Sequence, residues 1–180
     1  VPLMMQDEGL DSIAVRKLNL EDRPADMTEW KEMVHKILHP KQEITIALVG
    51  KYVALHDAYI SVAEALGHAG IVEDTKVNIK WVDSEAVEAE GTDLVEVYKD
   101  VDGILVPGGF GCRGVEGKIS TIQYAREHKV PFLGICLGMQ TSVMEFARSV
   151  LDMKGATSTE FDESCQFPVI DLMDDQVDVD

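Results

Sequence analysis

Cysteine is scarce: Cys112, Cys136 and Cys165 stand far apart, with no C-x-x-C pair and an odd count. That argues against a disulfide framework or a zinc knuckle and fits a reducing, cytoplasmic setting. Basic residues are also few. Sixteen Lys plus Arg face 33 Asp plus Glu, a formal charge of -17. A surface that acidic repels nucleic acid and anionic membrane, which removes both as main partners. Long apolar runs are missing too. The longest, 130–139, contains two glycines and is too short to cross a bilayer. No basic segment followed by an apolar one opens the chain. It begins at Val1 rather than Met, which reads as a cut in a longer polypeptide.

Hydrophobic residues make up 46% of the 180, enough for a real core in one domain or one and a fraction. Leu3, Leu10, Ile13, Ala14 and Leu18 recur at helical spacing and predict one amphipathic helix over 3–18. The polar stretch 19–26, with Pro24, reads as a linker. Thr28 is expected to cap a second helix through Trp30, Met33, Val34, Ile37 and Leu38, stopped by Pro40.

Beyond Pro40 the texture changes. Strands are expected at 43–50, 76–82, 103–106 and 131–135, where β-branched and apolar residues cluster. Helices are expected at 58–69, capped by Asp57, and at 92–99, 114–129 and 137–150. This alternation predicts an α/β fold, a doubly wound, mostly parallel sheet with helices on both faces. Residues 167–173 resemble one more strand, after which the chain stops in an acidic stretch, as an unfinished domain would. The expected boundary lies near residue 42, dividing 1–41 from 42–180.

The strongest local signal is Gly134-Ile135-Cys136-Leu137-Gly138, at an expected strand-to-helix junction. A nucleophile there sits on a sharp, strained turn at the carboxyl end of the sheet. Small residues two before and two after it avoid clashes across the turn. The helix N-terminus beneath Cys136 favours thiolate, the attacking species, and the N–H of Leu137 is placed to bind an oxyanion. A small buried core cysteine is the alternative. Val106-Pro107-Gly108-Gly109-Phe110-Gly111 ends another strand and offers a second backbone N–H from Gly109. A thiol and a bare N–H at neighbouring strand ends make an acyl-transfer site. Residues 109–114 also match G-x-G-x-x-G. However, they do not follow the first strand, Pro107 precedes them, and no acidic residue ends the next strand to hold a ribose. Gly50-Lys51 lacks the rest of a P-loop.

Gly134-ICLGMQ-Gln140 with Pro107-GGF-Phe110 resembles the class I glutamine amidotransferases, a flavodoxin-like fold in which a cysteinyl thioester releases ammonia from glutamine. Longer strings are similar to the CTP synthase family: 105–118, 49–62 and Ser158-TEF-Phe161. Residues 1–41 then look like the end of a synthetase domain plus an interdomain linker. The resemblance implies a cytoplasmic ligase that makes CTP from UTP, ATP and ammonia, with Mg2+, a GTP effector and a homotetrameric full-length assembly. It implies Cys136 as nucleophile and Gly109 and Leu137 as oxyanion donors. It also implies Gly138, Met139, Gln140 and Glu160 around L-glutamine. Lys51, Tyr52 and Arg113 fall near the effector interface. No cofactor is expected in residues 1–180 themselves. One departure is Cys112, where the family commonly has tyrosine.

The family's base and its orienting carboxylate come as His-Pro-Glu after the nucleophile. Here all five histidines (His35, His39, His56, His68, His128) precede Cys136. The chain alone is therefore expected to show no glutaminase turnover. Another cysteine-elbow hydrolase, or a non-catalytic module on the same scaffold, are the competing readings, and fold alone would not separate them.

Overall fold

The computed structural model describes residues 1–21 and 23–173. The expected acidic tail beyond 173 lies outside the described residues. Two compact units form: Val1–Glu43 with Gly67–Lys76, and Ile44–Leu66 with the residues from Val77 onward.

In the first unit the single helix expected over 3–18 is two: α1 (Pro2–Asp7) and α2 (Leu10–Lys17). Gly9 separates them at φ 69°, a left-handed conformation that ends one helix and that glycine adopts without steric cost. Helix α3 (Thr28–Leu38) forms as expected, but Thr28 does not cap it. Instead the Asp26 carboxylate accepts from Thr28 N at 3.0 Å and from Thr28 Oγ1 at 2.7 Å, and these bonds hold the Asp26 carboxyl below its ordinary pKa. Aspartate thus supplies the acceptor that a threonine hydroxyl was expected to give.

The second unit is a four-stranded sheet in the order β2-β1-β3-β4, where β1 is Gln42–Gly50, β2 Thr75–Asp83, β3 Gly103–Val106 and β4 Phe132–Gly134. Pairs β1–β3 and β3–β4 are parallel, with Ile46 opposite Gly103 and Val106 opposite Gly134. The two central strands are apolar at successive positions because both sheet faces are covered. Ala47, Val49, Ile104 and Val106 enter one core with Val82, Tyr98, Ile122 and Ala125, while Leu48 and Leu105 enter the other with Tyr59, Val62 and Trp81. The doubly wound expectation holds.

Helix boundaries depart in three places. Residues His56–Tyr59 form a 3-10 turn before α4 (Ile60–Val72), so Asp57 lies inside the turn rather than capping the helix. An unforeseen helix, α5 (Ser84–Glu88), starts where the Asp83 carboxylate accepts from Glu85 N at 2.9 Å. Helix α6 (Leu94–Tyr98) follows, capped by Asp93 rather than beginning at Thr92. Helices α7 (Val115–His128) and α8 (Leu137–Ser149) match expectation. The last expected strand is short, β6 (Pro168–Ile170), and pairs in parallel with β5 (Thr157–Ser158) in a separate two-stranded sheet.

Helices α7 and α8 are joined by a charge pair. Arg126 Nη2 lies 2.7 Å from Glu145 Oε1, and Arg126 Nε lies 3.1 Å from both carboxylate oxygens. The Glu145 side chain is 2% exposed, that of Arg126 35%. Removing the cation strands a buried anion, whereas neutralising the anion leaves a cation that reaches water. Arg126→Met is therefore expected to cost about 3 kcal/mol and Glu145→Gln about 1 kcal/mol, read from urea unfolding. Equal losses would mean that the two partners are solvated alike.

Candidate active site

Register places two strand ends side by side. Val106 and Gly134 are opposed in β3 and β4, and Ile135 N donates to Val106 O at 2.9 Å. The segments that leave these strands, Pro107-Gly108-Gly109 and Ile135-Cys136, therefore emerge at one edge. Cys136 has φ 53° and ψ -112° and is the residue immediately before α8. Such a backbone is strained for any residue with a Cβ. The thiol is exposed, neither enclosed in the core nor partway along a helix.

Two glycines make the bend possible. A Cβ on Gly134 would stand 2.5 Å from Gly138 O, and one on Gly138 would stand 2.0 Å from Val106 O. The carbonyl of Ile135 accepts from Gly138 N at 2.9 Å, and that of Cys136 from Gln140 N at 3.0 Å, so the turn closes directly into the first turn of α8. Thr141 Oγ1 donates to Leu137 O at 2.9 Å.

The glycine pair of the neighbouring loop divides its work. A Cβ on Gly108 would lie 3.3 Å from Cys136 Cβ and 3.8 Å from its sulfur. Gly108, which sequence reasoning passed over for Gly109, is thus the residue whose bare α-carbon faces the thiol. A Cβ on Gly109 would instead lie 3.7 Å from Leu137 Cδ2 and 3.8 Å from each of Lys118 Nζ and Lys51 Cε. Lys118 was also missed. Its signal was available: it occupies the apolar stripe Val115, Lys118, Ile119, Ile122 of α7, where a lysine is out of place.

The other candidates fall into two groups. Gln140 and Glu160 meet in a cavity of about 780 Å³ that Ser158, Glu163 and Asp171 also line. Glu160 N donates to Ser158 Oγ at 3.1 Å, which fixes the backbone from which the exposed Glu160 projects. Buried Leu137 and Gly138 and half-exposed Met139 form the turn of α8 between this cavity and the elbow. The second group surrounds the Tyr52 ring, with Lys51 Nζ 5.4 Å and Arg113 Cζ 6.0 Å from its centre. Lys51 Nζ donates to Phe110 O, and Arg113 Nε pairs with Glu85 Oε1 at 3.1 Å. His128, the histidine nearest Cys136 in sequence, stacks on Tyr124 at 4.0 Å with its Nδ1 3.0 Å from Tyr124 O. Cys112 is exposed and Cys165 partly buried.

Known proteins resemble this chain in sequence and in fold. The model of the family described as glutamine amidotransferase class-I matches residues 54–171. Over its whole length the chain is 54% identical to the CTP synthase of Methanocaldococcus jannaschii, covering 34% of that protein. It is 59% identical to the CTP synthase of Desulfitobacterium hafniense over 99% of this chain and 33% of that protein. A solved structure of the Trypanosoma brucei CTPS glutaminase domain with bound acivicin matches with a TM-score of 0.70 at 39% identity, over 74% of this chain and 51% of that one. The chain spans about a third of the length of the curated relatives it matches.

Proposed function

Because this chain belongs to the class-I glutamine amidotransferase family, we propose that it releases ammonia from L-glutamine at Cys136, as the amidotransferase portion of a CTP synthase. The observation that carries this reading is the strained, exposed Cys136 directly before α8, facing the bare α-carbon of Gly108.

The chemistry runs through two acyl transfers. The Cys136 sulfur attacks the side-chain amide carbon of glutamine, and the carbonyl electrons move onto oxygen. The N–H groups of Gly109 and Leu137 stabilise that oxyanion. On collapse the C–N bond breaks, the departing amide nitrogen takes up the proton that the thiol gave up and leaves as ammonia, and a glutamyl thioester remains. Water then cleaves the thioester, giving glutamate and the free thiol. Gln140 and Glu160 hold the amino acid, the Glu160 carboxylate pairing with its α-ammonium. The proton-transferring base is assigned to the length of the relatives that this chain does not span, since His128 is engaged with Tyr124.

In the complete polypeptide the ammonia would aminate UTP to CTP with ATP and Mg2+, in a cytoplasmic homotetramer. Those substrates, the metal and the bulk of the assembly are likewise assigned to length outside this chain, with residues 1–41 the end of the synthetase portion. Lys51, Tyr52 and Arg113 are proposed to face the GTP effector.

A chloroketone analogue of glutamine tests the reading. Mass spectrometry is expected to find the adduct on Cys136, with protection by glutamine, and little on Cys112, which is exposed as well. Equal labelling of both thiols, unaffected by glutamine, would remove Cys136 from the nucleophile's role.

A further inference from the structure

Lys118 is the least conventional residue near the elbow. It lies four residues after Gly114, the left-handed residue that launches α7, and it is 1% exposed. Its amine sits 3.8 Å from the position of a Cβ on Gly109, packed under the loop that the reading above makes the oxyanion loop. Lysine is almost never enclosed in this way. Enclosure pushes the amine down to about 8, the neighbouring Lys51 ammonium adds to the fall, and Glu88 on α5 opposes it. A depressed amine means that folding around the charged form costs stability. An apolar side chain in the same stripe position would carry no such cost, so the charge calls for a use.

The loop above supplies one. Each peptide carries a dipole with its negative end at the carbonyl oxygen. A cation enclosed in a low-dielectric setting acts strongly on such dipoles. It draws the carbonyls toward itself and turns the N–H groups the opposite way. Lys51 Nζ already holds the carbonyl of Phe110, and its Cε lies, like the Lys118 amine, 3.8 Å from where a Cβ on Gly109 would stand, so both side chains lie against the Gly109–Phe110 segment. Oxyanion donors are effective only when they are fixed before charge develops.

We infer that Lys118 is a positioning residue for the oxyanion loop: its enclosed ammonium beneath Gly109 orients the flanking peptides so that the Gly109 N–H is held toward Cys136. This rests on Cys136 being the nucleophile. Lys118 itself touches neither glutamine nor the reacting sulfur; it acts through Gly109.

The test uses the complete polypeptide that carries this sequence, with Lys118→Met, which keeps length and apolar packing and removes the charge. Glutamine hydrolysis is expected to lose kcat roughly tenfold, a fraction of the loss on removing an oxyanion donor outright, with KM changed less than twofold. The melting temperature should hold or rise, because an enclosed charge is gone. In the parent protein kcat should fall as pH rises through the Lys118 value, when the amine loses its proton, and this limb should be absent in the variant. A parallel fall of kcat, rising KM and falling melting temperature would reduce Lys118 to a packing residue. Unchanged kcat with the alkaline limb intact would overturn the inference outright. Should Lys118→Met fail to fold, Lys118→Arg decides: a permanent cation that keeps activity and flattens the alkaline limb supports the role, and one that leaves the limb in place refutes it. Cys136→Ala run alongside separates the two levels, since hydrolysis that survives it sinks the nucleophile assignment, whatever Lys118 does.

Discussion

Cys136→Ala in the complete polypeptide is expected to abolish glutamine-dependent CTP formation, by about four orders of magnitude or more, while synthesis from added ammonia continues. The split follows from the geometry. Alanine satisfies the backbone demand at 136 about as well as cysteine, since both carry a Cβ at φ 53°, so the elbow and α8 should survive. Only the sulfur goes, and with it the thioester route. The remaining oxyanion donors would still bind a tetrahedral species, which is why residual hydrolysis above that of water is compatible with the assignment. Concurrent loss of the ammonia-supported reaction would point instead to a structural collapse. The 180-residue chain by itself should show no turnover even with Cys136 in place. Each of its five histidines precedes Cys136, and a thiol without a proton donor for the leaving ammonia stalls at the first step. Turnover by the isolated chain, lost in Cys136→Ala, would relocate the base to one of those histidines.

Much of this site was legible because its glycines and its cysteine do jobs that spacing alone encodes. Gly134 and Gly138 lie two residues either side of Cys136, and each is excluded from carrying a side chain by a backbone carbonyl 2.5 Å or less from where its Cβ would stand. The central strands were legible for a related reason: residues 46–49 and 103–106 are apolar without alternation because both faces are buried. Short local choices were not. Helix α5 has five residues, too few to show a period, and only its Asp83 cap marks it. Gly9 divides α1 from α2 although the apolar spacing runs through it, because a left-handed residue interrupts a helix without altering the pattern. Asp26 and Thr28 are both acceptable N-terminal acceptors, and geometry rather than composition selects the first. Gly108 and Lys118 were hidden for a different reason. Their roles come from which face of the 107–111 loop meets Cys136 and which meets α7, and that depends on the docking of β3 beside β4.

The bend itself gives the largest structural effect. Gly138 lies in the first turn of α8, where intrinsic propensity favours alanine over glycine by about 1 kcal/mol. On that ground alone Gly138→Ala should stabilise the protein. The added Cβ, however, would stand 2.0 Å from Val106 O and 2.8 Å from Val106 C, atoms of a fully buried central strand held in register with β1 and β4. Neither backbone can yield without breaking the β3–β4 pairing that sets Gly108 against Cys136. The clash should outweigh propensity and cost about 4 kcal/mol or more, a large share of the roughly 5–15 kcal/mol available to a domain. Thermal or urea unfolding should show that loss, and the chloroketone label should lose its preference for Cys136 even in the fraction that remains folded. Gly67→Ala is the matched control. It lies within α4, a Cβ there meets nothing within 4 Å, and the same propensity term should leave it neutral or about 1 kcal/mol more stable. If Gly138→Ala behaved like Gly67→Ala, the close approach of α8 to Val106 would be wrong, and with it the placement of the thiol beside the glycine loop.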